Sequence, residues 1–346
     1  MTDTRPGGAQ PTARAPSQLT ASVIIPAFTL DRWDKLVKAV DAVQAQTRPP
    51  VELILCIDRN PELLRTCLAY WEEAELRVPI KIIPNYNDWT PSFSTESTSD
   101  GVRRGYGGGS ARQCAAGVAC GEILVTFDDD AWPERNCIEY LLGPYEDPSV
   151  VAVGGKTVPD FETTRPIWFP RTFDWIFGCS YEGLPTELAP TPRLIGANLS
   201  VRASAFRALG GYASPDFDDL DLSTRLAYRY SQHGVVYEPR AVAHHYVSAN
   251  RVTWHYFWSR SFLVNRDKVP AFAAMGPAAN LSPEFSFVVR AVRAQLSAVS
   301  SGMPDGRAIG VMQLGAMVVG IAFAGLGNIV GRVVLWVRRL SARLAD

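Results

Sequence analysis

Residues 124–133 read LVTFDDDAWP. The apolar run Ile123–Phe127 stops at three consecutive aspartates, Asp128, Asp129 and Asp130. A short apolar run bounded in this way reads as a buried strand. Adjacent carboxylates repel and raise one another's pKa, so three of them at a strand end call for positive charge opposite. Similar strand ends occur upstream. Ser22–Ile25 is an apolar run stopped by Pro26, VELILCID (Val51–Asp58) closes on Asp58, and Ile80–Pro84 is a third strand. Helices alternate with these strands. Asp31–Gln46 sets Leu36, Val37, Val40 and Val43 at helical spacing behind an acidic first turn. Pro61–Leu76 has proline at its first turn, and Ser110–Cys120 is a third helix. The alternation predicts an α/β fold with a mostly parallel central sheet. Ligands of such sheets bind beyond the carboxyl ends of the strands, the rim that holds Pro26, Asp58 and Asp128–Asp130.

The 346 residues allow one large or two ordinary domains. Lys+Arg 34 against Asp+Glu 35 leaves no basic field of the kind nucleic acid requires. Six cysteines without a C-x-x-C pair argue against a disulfide framework or a zinc knuckle and suit a reducing compartment. Residues 1–20 lack the apolar core of a secretory signal and read as a disordered tail. Residues 85–109 are polar and glycine-rich, a long mobile loop. Beyond Pro148 come a strand in SVVAVGGKTV, an aromatic region over 166–185, and a helix Ala203–Leu209 closed by Gly210-Gly211. An acid-led helix with Leu222, Leu226 and Tyr230 follows, then the strand VVYEP and the segment AVAHHYV.

Magnesium is usually held by one or two carboxylates together with substrate phosphates. An i, i+2 acid pair across a turn can aim one group at a metal and the other at a ribose or a water. Asp128 and Asp130 therefore suggest a metal–diphosphate site, the alternative being a solvated acidic turn.

The ordered series VIIPAF, Asp58, GGSARQ, FDDDA, GAN and DFDDLDLSTRL, spread over Ser22–Lys268, resembles the family-2 glycosyltransferases of the GT-A fold. PIWFPRTFDWIFGCSYEGLP and VVYEPRAVAHHYV are similar to transferases that add a glucuronosyl or related sugar to a lipid-phosphate-linked glycan. The resemblance implies a Rossmann-like sheet with helices on both faces. It also implies inverting transfer from a nucleotide-diphosphate sugar, a UDP sugar, with Mg2+ or Mn2+. On that pattern Pro26 and Ala27 line the nucleotide pocket through their backbone, and Asp58 meets the base or ribose. Arg112, Asp128 and Asp129 also belong to the donor site, and Gly196, Ala197 and Asn198 lie under the sugar. Asp130 would hold the metal with Asp128 and His245. His244 competes for the last place, because neighbours on a strand face opposite ways. Asp219 would be the base that deprotonates the acceptor, with Asp218 beside it and Asp216 and Asp221 as rivals. Arg193, Arg202 and Arg260 are the cations available to a sugar carboxylate. Two other readings are a sugar-phosphate nucleotidyltransferase, which wants a glycine-rich loop where this chain has PAFTLDRW, and an inactive membrane-attached nucleotide-sugar-binding subunit.

Residues 308–331, AIGVMQLGAMVVGIAFAGLGNIVG, carry no charge and are long enough to span a bilayer. Gly327 and Gly331 have helix-packing spacing, and Arg332, Arg338, Arg339 and Arg343 follow. Phe285–Val299 reads as an amphipathic interfacial helix with Arg290 and Arg293 on one side. The expected organisation is a catalytic domain over 21–268 and a helical, membrane-associated segment over 269–346. This would place the protein on the cytoplasmic face of the cell membrane, working on a lipid-linked or polysaccharide acceptor.

Overall fold

The computed structural model describes residues 19–86, 108–213, 218–275, a few positions between 289 and 296, and 304–345. The expected tail over 1–18, the loop over 87–107, Asp216, and most of the expected helix Phe285–Val299 lie outside the described residues.

Strands β1 (Ala21–Ala27), β2 (Glu52–Asp58), β3 (Ile80–Asn85) and β4 (Ile123–Phe127) form a parallel half-sheet in the order β3-β2-β1-β4. Helices α1 (Trp33–Gln44), α2 (Pro61–Trp71) and α3 (Gly108–Val118) make the crossovers. α1 and α2 pack one face of this half-sheet, with Leu36, Val40, Leu63 and Cys67 against Val23, Leu53 and Val125. α3 packs the other through Ala111 and Ala115 against Ile24, Ile54 and Leu124. Successive strand residues point to opposite faces, so a strand covered on both sides is apolar along most of its length, as β1 is apart from Ser22, whose hydroxyl donates to Glu52.

Beyond β4 the sheet turns mixed. β5 (Ala131–Pro133) and the short helix α4 (Cys137–Leu142) follow β4 directly, then β6 (Ala152–Phe161), β7 (Ala189–Pro190) and β8 (Asn198–Arg202). Helices α5 (Ala203–Ala208) and α6 (Asp218–Tyr230) lead into β9 (Val235–Val247). β8 runs antiparallel to β4 and β6, β9 runs parallel to β6, and β5 pairs antiparallel with β9. VVYEP and AVAHHYV thus belong to one strand, whose register against β6 shifts between Gly155 and Lys156. That irregularity lets one long strand bend and reach the rim.

Among the described residues, the C-terminal part is mainly two long helices, α7 (Trp254–Met275) and α8 (Pro304–Ala345). The boundary expected at residue 268 falls inside α7, just before Pro270. Proline has no N–H to give the carbonyl four residues earlier, that of Arg266. Gly331 of α8 lies against that same carbonyl: a Cβ added there would stand 2.3 Å from its oxygen. At Gly327 a Cβ would stand 2.2 Å from the Phe262 carbonyl oxygen. Glycine is what lets the two backbones approach this closely. Further along, Ala316, Met317 and Gly320 of α8 dock on Phe173 and Phe257, in an aromatic cluster completed by Phe169 and Phe177. Gly327→Val is expected to destabilise the α7–α8 pairing by about 1–3 kcal/mol, as overpacking of a close contact does. Limited proteolysis should then release α8 before the catalytic domain is cut.

Candidate active site

β4 hands the chain to Asp128, Asp129 and Asp130, and β5 begins at Ala131. Because β5 pairs with β9, Ala131 stands opposite His245 and Trp132 opposite His244. Alternation along β9 then separates the two histidines. His245 turns inward, is buried, and sets Nε2 3.0 Å from Asp130 Oδ1 and 3.8 Å from Asp128 Oδ2. His244 turns outward, to Glu134 at 3.0 Å, with its ring stacked on Trp132. One ligand atom from each of Asp128, Asp130 and His245 lies within 4.8 Å of the others.

Two arginines bond directly to the acids. Arg32, in the turn Leu30–Arg32 after β1, reaches Asp129 Oδ1 at 2.8 Å and Asp130 Oδ2 at 3.1 Å. Arg112, from α3, is buried and gives one terminal nitrogen to Asp128 and the other to Asp218 at the start of α6. Asp219, next to Asp218, accepts from the Gly196 N–H at 3.0 Å and from the Leu220 N–H at 2.7 Å. A Cβ added to Gly196 would lie 3.5 Å from Asp219 Oδ2 and 3.6 Å from an Arg112 nitrogen. Arg112 therefore joins the strand-end acids and the α6 acids into one cluster.

Asp58 ends β2 on the same rim and accepts from the Asn85 amide at 2.8 Å; Asn85 also donates to Ser110 Oγ at 3.0 Å. Pro26 and Ala27 are buried at the end of β1, leaving their backbone at the rim. Ala197 is buried as well. Asn198, expected under the donor sugar, points elsewhere: its amide donates to the carbonyls of Ala241 at 2.9 Å and Lys156 at 3.2 Å. It braces the β6–β9 irregularity, and a Cβ on Gly155 would collide with it. Asp221 is likewise committed, to Arg225 and the Ala213 N–H. Among the sugar-carboxylate candidates, Arg202 spends its guanidinium on carbonyls of Tyr145, Asp147 and Val150, at the opposite end of β8 from the rim.

Burial pushes the Asp129 carboxyl up to about 7, with the Asp130 charge adding to it and Arg32 opposing. Burial also acts against ionisation of Asp130, but the His245 hydrogen bond and charge, helped by Arg32 and Arg251, outweigh it and hold that carboxyl below its ordinary value. His245 is raised to about 10: burial disfavours its charge, and the hydrogen bond to Asp130 reverses the balance. The proton between His245 and Asp130 thus occupies the place a cation would take. Asp219 is pushed up to about 6 by burial and by the Asp218 charge, against the two backbone N–H groups and Arg112.

Beside these groups, Asp129 Oδ2 is buried with no hydrogen-bond partner. A donor set of two carboxylates and one imidazole fits a divalent cation of the Mg2+ or Mn2+ type.

Residues 102–210 match the family described as Glycosyl transferase family 2. Over those residues the chain is similar to family 2 glycosyltransferases. Over 195 residues it is 28% identical to the "Glucosyl-dolichyl phosphate glucuronosyltransferase" of Haloferax volcanii. That alignment covers 56% of each chain, so this protein matches little more than half of the relative's length. A mannosyltransferase from Pyrobaculum calidifontis, solved in complex with GDP-Man and Mn2+, superposes with a TM-score of 0.55 over 92% of this chain and 89% of its own, at 16% identity. The glycosyltransferase fold is thus GT-A. The family match takes in Arg112, Asp128–Asp130 and Gly196, while Asp218, Asp219 and His245 lie beyond it.

Sequence reasoning missed Arg32, Asp218 as the partner of Arg112, and the structural use of Asn198. Arg32 follows the end of β1 on the rim where the three aspartates end β4, so its position relative to those acids was the available signal.

Proposed function

We propose that this glycosyltransferase moves a sugar, with inversion, from a UDP-linked donor to a hydroxyl of a lipid-phosphate-linked glycan. The observation that carries the reading is the Arg112 bridge, which ties Asp128, at one end of the candidate cation site, to Asp218, the neighbour of a carboxylate of raised pKa. Asp128, Asp130 and His245 would hold Mg2+ or Mn2+. When bound, the ion supplies Lewis-acid stabilisation of the charge that develops on the departing diphosphate. The backbone at Pro26 and Ala27, together with Asp58, receives the nucleoside, and Gly196 and Ala197 allow the sugar to lie close to the chain. Asp219 takes the acceptor proton, held in orientation by the Gly196 and Leu220 N–H groups. The imidazole ligand favours Mn2+ over Mg2+.

The acceptor class rests on the Haloferax volcanii relative and on α8. Ala308–Ser341 is apolar enough to cross a membrane, yet only 22% of its most apolar window is buried. Its outer face exposes Val311, Val318, Ile329, Val333, Trp336 and Leu340, and Arg332, Arg338 and Arg339 are exposed beside them. An apolar face flanked by arginines suits an anionic lipid surface on the cytoplasmic side, with the catalytic domain of 21–268 held above it. Ile329→Glu with Trp336→Glu is expected to abolish co-sedimentation with vesicles containing anionic lipid.

The deciding experiment incubates the protein with UDP-glucuronate, UDP-glucose or GDP-mannose, Mn2+ and a dolichyl-phosphate-linked sugar. Metal-dependent release of UDP and an inverted anomeric linkage in the product are expected. Pyrophosphate exchange with a sugar 1-phosphate would instead identify a nucleotidyltransferase, and nucleotide binding without turnover an inactive subunit.

A further inference from the structure

Behind the candidate cation site lies a group that the reaction does not use. The short helix Arg171–Phe177 ends at Gly178, whose φ of +73° only glycine adopts without strain. The turn brings the next residue, Cys179, against the far side of His245: Sγ lies 3.7 Å from Nδ1, and both side chains are buried. The thiol has a second neighbour, the Phe177 carbonyl oxygen at 3.9 Å, to which S–H can donate. With its hydrogen directed there, sulfur offers a lone pair to Nδ1–H. When a cation displaces the proton that Nε2 shares with Asp130, the hydrogen stays on Nδ1 and the lone pair of Nε2 faces the space between Asp128 and Asp130.

The segment around Cys179 is itself fixed. Ser180 N–H donates to the Thr157 carbonyl at 2.8 Å, and Thr157 N–H donates to Ser180 Oγ at 2.8 Å, tying the turn to β6. On the other side, Asp174 receives both terminal nitrogens of Arg165, at 2.7 and 3.1 Å. Gly178 completes the pocket: a Cβ there would lie 3.2 Å from His245 Cε1, so the ring sits against the glycine. Ring rotation is thereby restricted on the edge that carries Cε1 and Nδ1.

We propose that Cys179 is a positioning residue for the metal site, holding His245 in the Nδ1–H tautomer with Nε2 free to ligate. The inference rests on the proposed role of His245. Metal-bound histidines usually give their other ring N–H to a carboxylate, a carbonyl or a water, and here a buried thiol takes that place. Its function is orientation: neither sulfur nor thiolate reaches the ion, because the imidazole stands between them.

The test is Mn2+ affinity, read by electron paramagnetic resonance on the folded, substrate-free protein. Cys179→Ala is expected to weaken Mn2+ binding by about 10–100-fold, the usual cost of removing such a partner. Cys179→Ser, whose hydroxyl can accept the same N–H, is expected to bind within a few-fold of wild type. Nitrogen-15 spectra of histidine-labelled wild-type protein with Mg2+ should show His245 protonated at Nδ1, a readout that does not depend on any variant folding. Wild-type affinity in Cys179→Ala, or an Nε2–H tautomer in the spectra, would overturn the proposal. His245→Ala separates this from failure of the metal site itself. If it binds Mn2+ as tightly as wild type, both readings fall; if it weakens binding and Cys179→Ala does not, only the role of the cysteine falls.

Discussion

Asp219→Asn is expected to lower kcat about 10²–10⁴-fold, the range that general-base help contributes, without lowering the melting temperature. Both halves follow from the surroundings of the side chain. The titratable groups around it are Asp218 on its own helix, Arg112 from α3 and, more remotely, the neutral phenol of Tyr212 from the turn before α6. Burial and the Asp218 charge raise its carboxyl from the ordinary 3.8 to about 6. A base must be ionised to act, so kcat/KM should rise with pH through about 6 and level off above it. Asp219→Asn should remove that limb. The measurement needs saturating Mn2+, so that protonation of Asp129 and His245 does not enter. For stability the sign is opposite. A raised carboxyl contributes stability that is fully present below 3.8 and lost as pH rises through about 6. At neutral pH the ionised side chain is therefore a net cost to the fold; asparagine removes that cost but turns its NH2 toward one of the two backbone N–H groups, and the two effects offset. An active-site group that weakens the native state is a common trade between function and stability. A variant that melted lower yet kept its pH limb would show that Asp219 caps α6 and does nothing more.

The parallel half of the sheet is legible because each strand buried on both faces is a largely apolar run, broken only by a small hydroxyl such as Ser22 or Thr126, and ends at or beside a proline or an acid. The acid cluster is legible for a related reason: three carboxylates at the end of a buried strand have no packing role that leucine would not fill better. The choice between His244 and His245 is different in kind. Alternation says that one turns inward, but which one depends on the pairing of Ala131 with His245, and β5 is only three residues long. Asn198 misleads because small residues before it suggest a sugar floor, whereas its own side chain answers the register shift between β6 and β9. That shift is a property of two strands and leaves no mark on either alone. The partners of the acids are hidden by distance along the chain. Arg32 precedes Asp129 by 97 residues, and Arg112 precedes Asp218 by 106. Cys179 is 66 residues from His245 and reads in the sequence as one more buried cysteine.

Replacing Arg112 by methionine is expected to destabilise the protein by about 3–5 kcal/mol, the cost of leaving buried charges without their partner. Arg112 is only 7% exposed, and its two terminal nitrogens are spent on carboxylates from different elements, Asp128 after β4 and Asp218 on α6. Lysine should not rescue it, because a single ammonium on a flexible stem cannot make two divergent contacts as a planar guanidinium does. The effect can be apportioned. Adding Asp218→Asn to Arg112→Met removes one of the stranded charges and should recover part of the loss, and the double-mutant cycle gives the coupling directly. A useful contrast is Glu134→Ala, which removes the exposed partner of His244 and should cost less than about 1 kcal/mol. Mn2+ strengthens the test. A cation at Asp128 and Asp130 neutralises the acids that Arg112 faces, so added Mn2+ should raise the melting temperature of Arg112→Met more than that of wild type. If Arg112→Met instead melted like wild type with and without Mn2+, the strand-end acids and the α6 acids would be held independently.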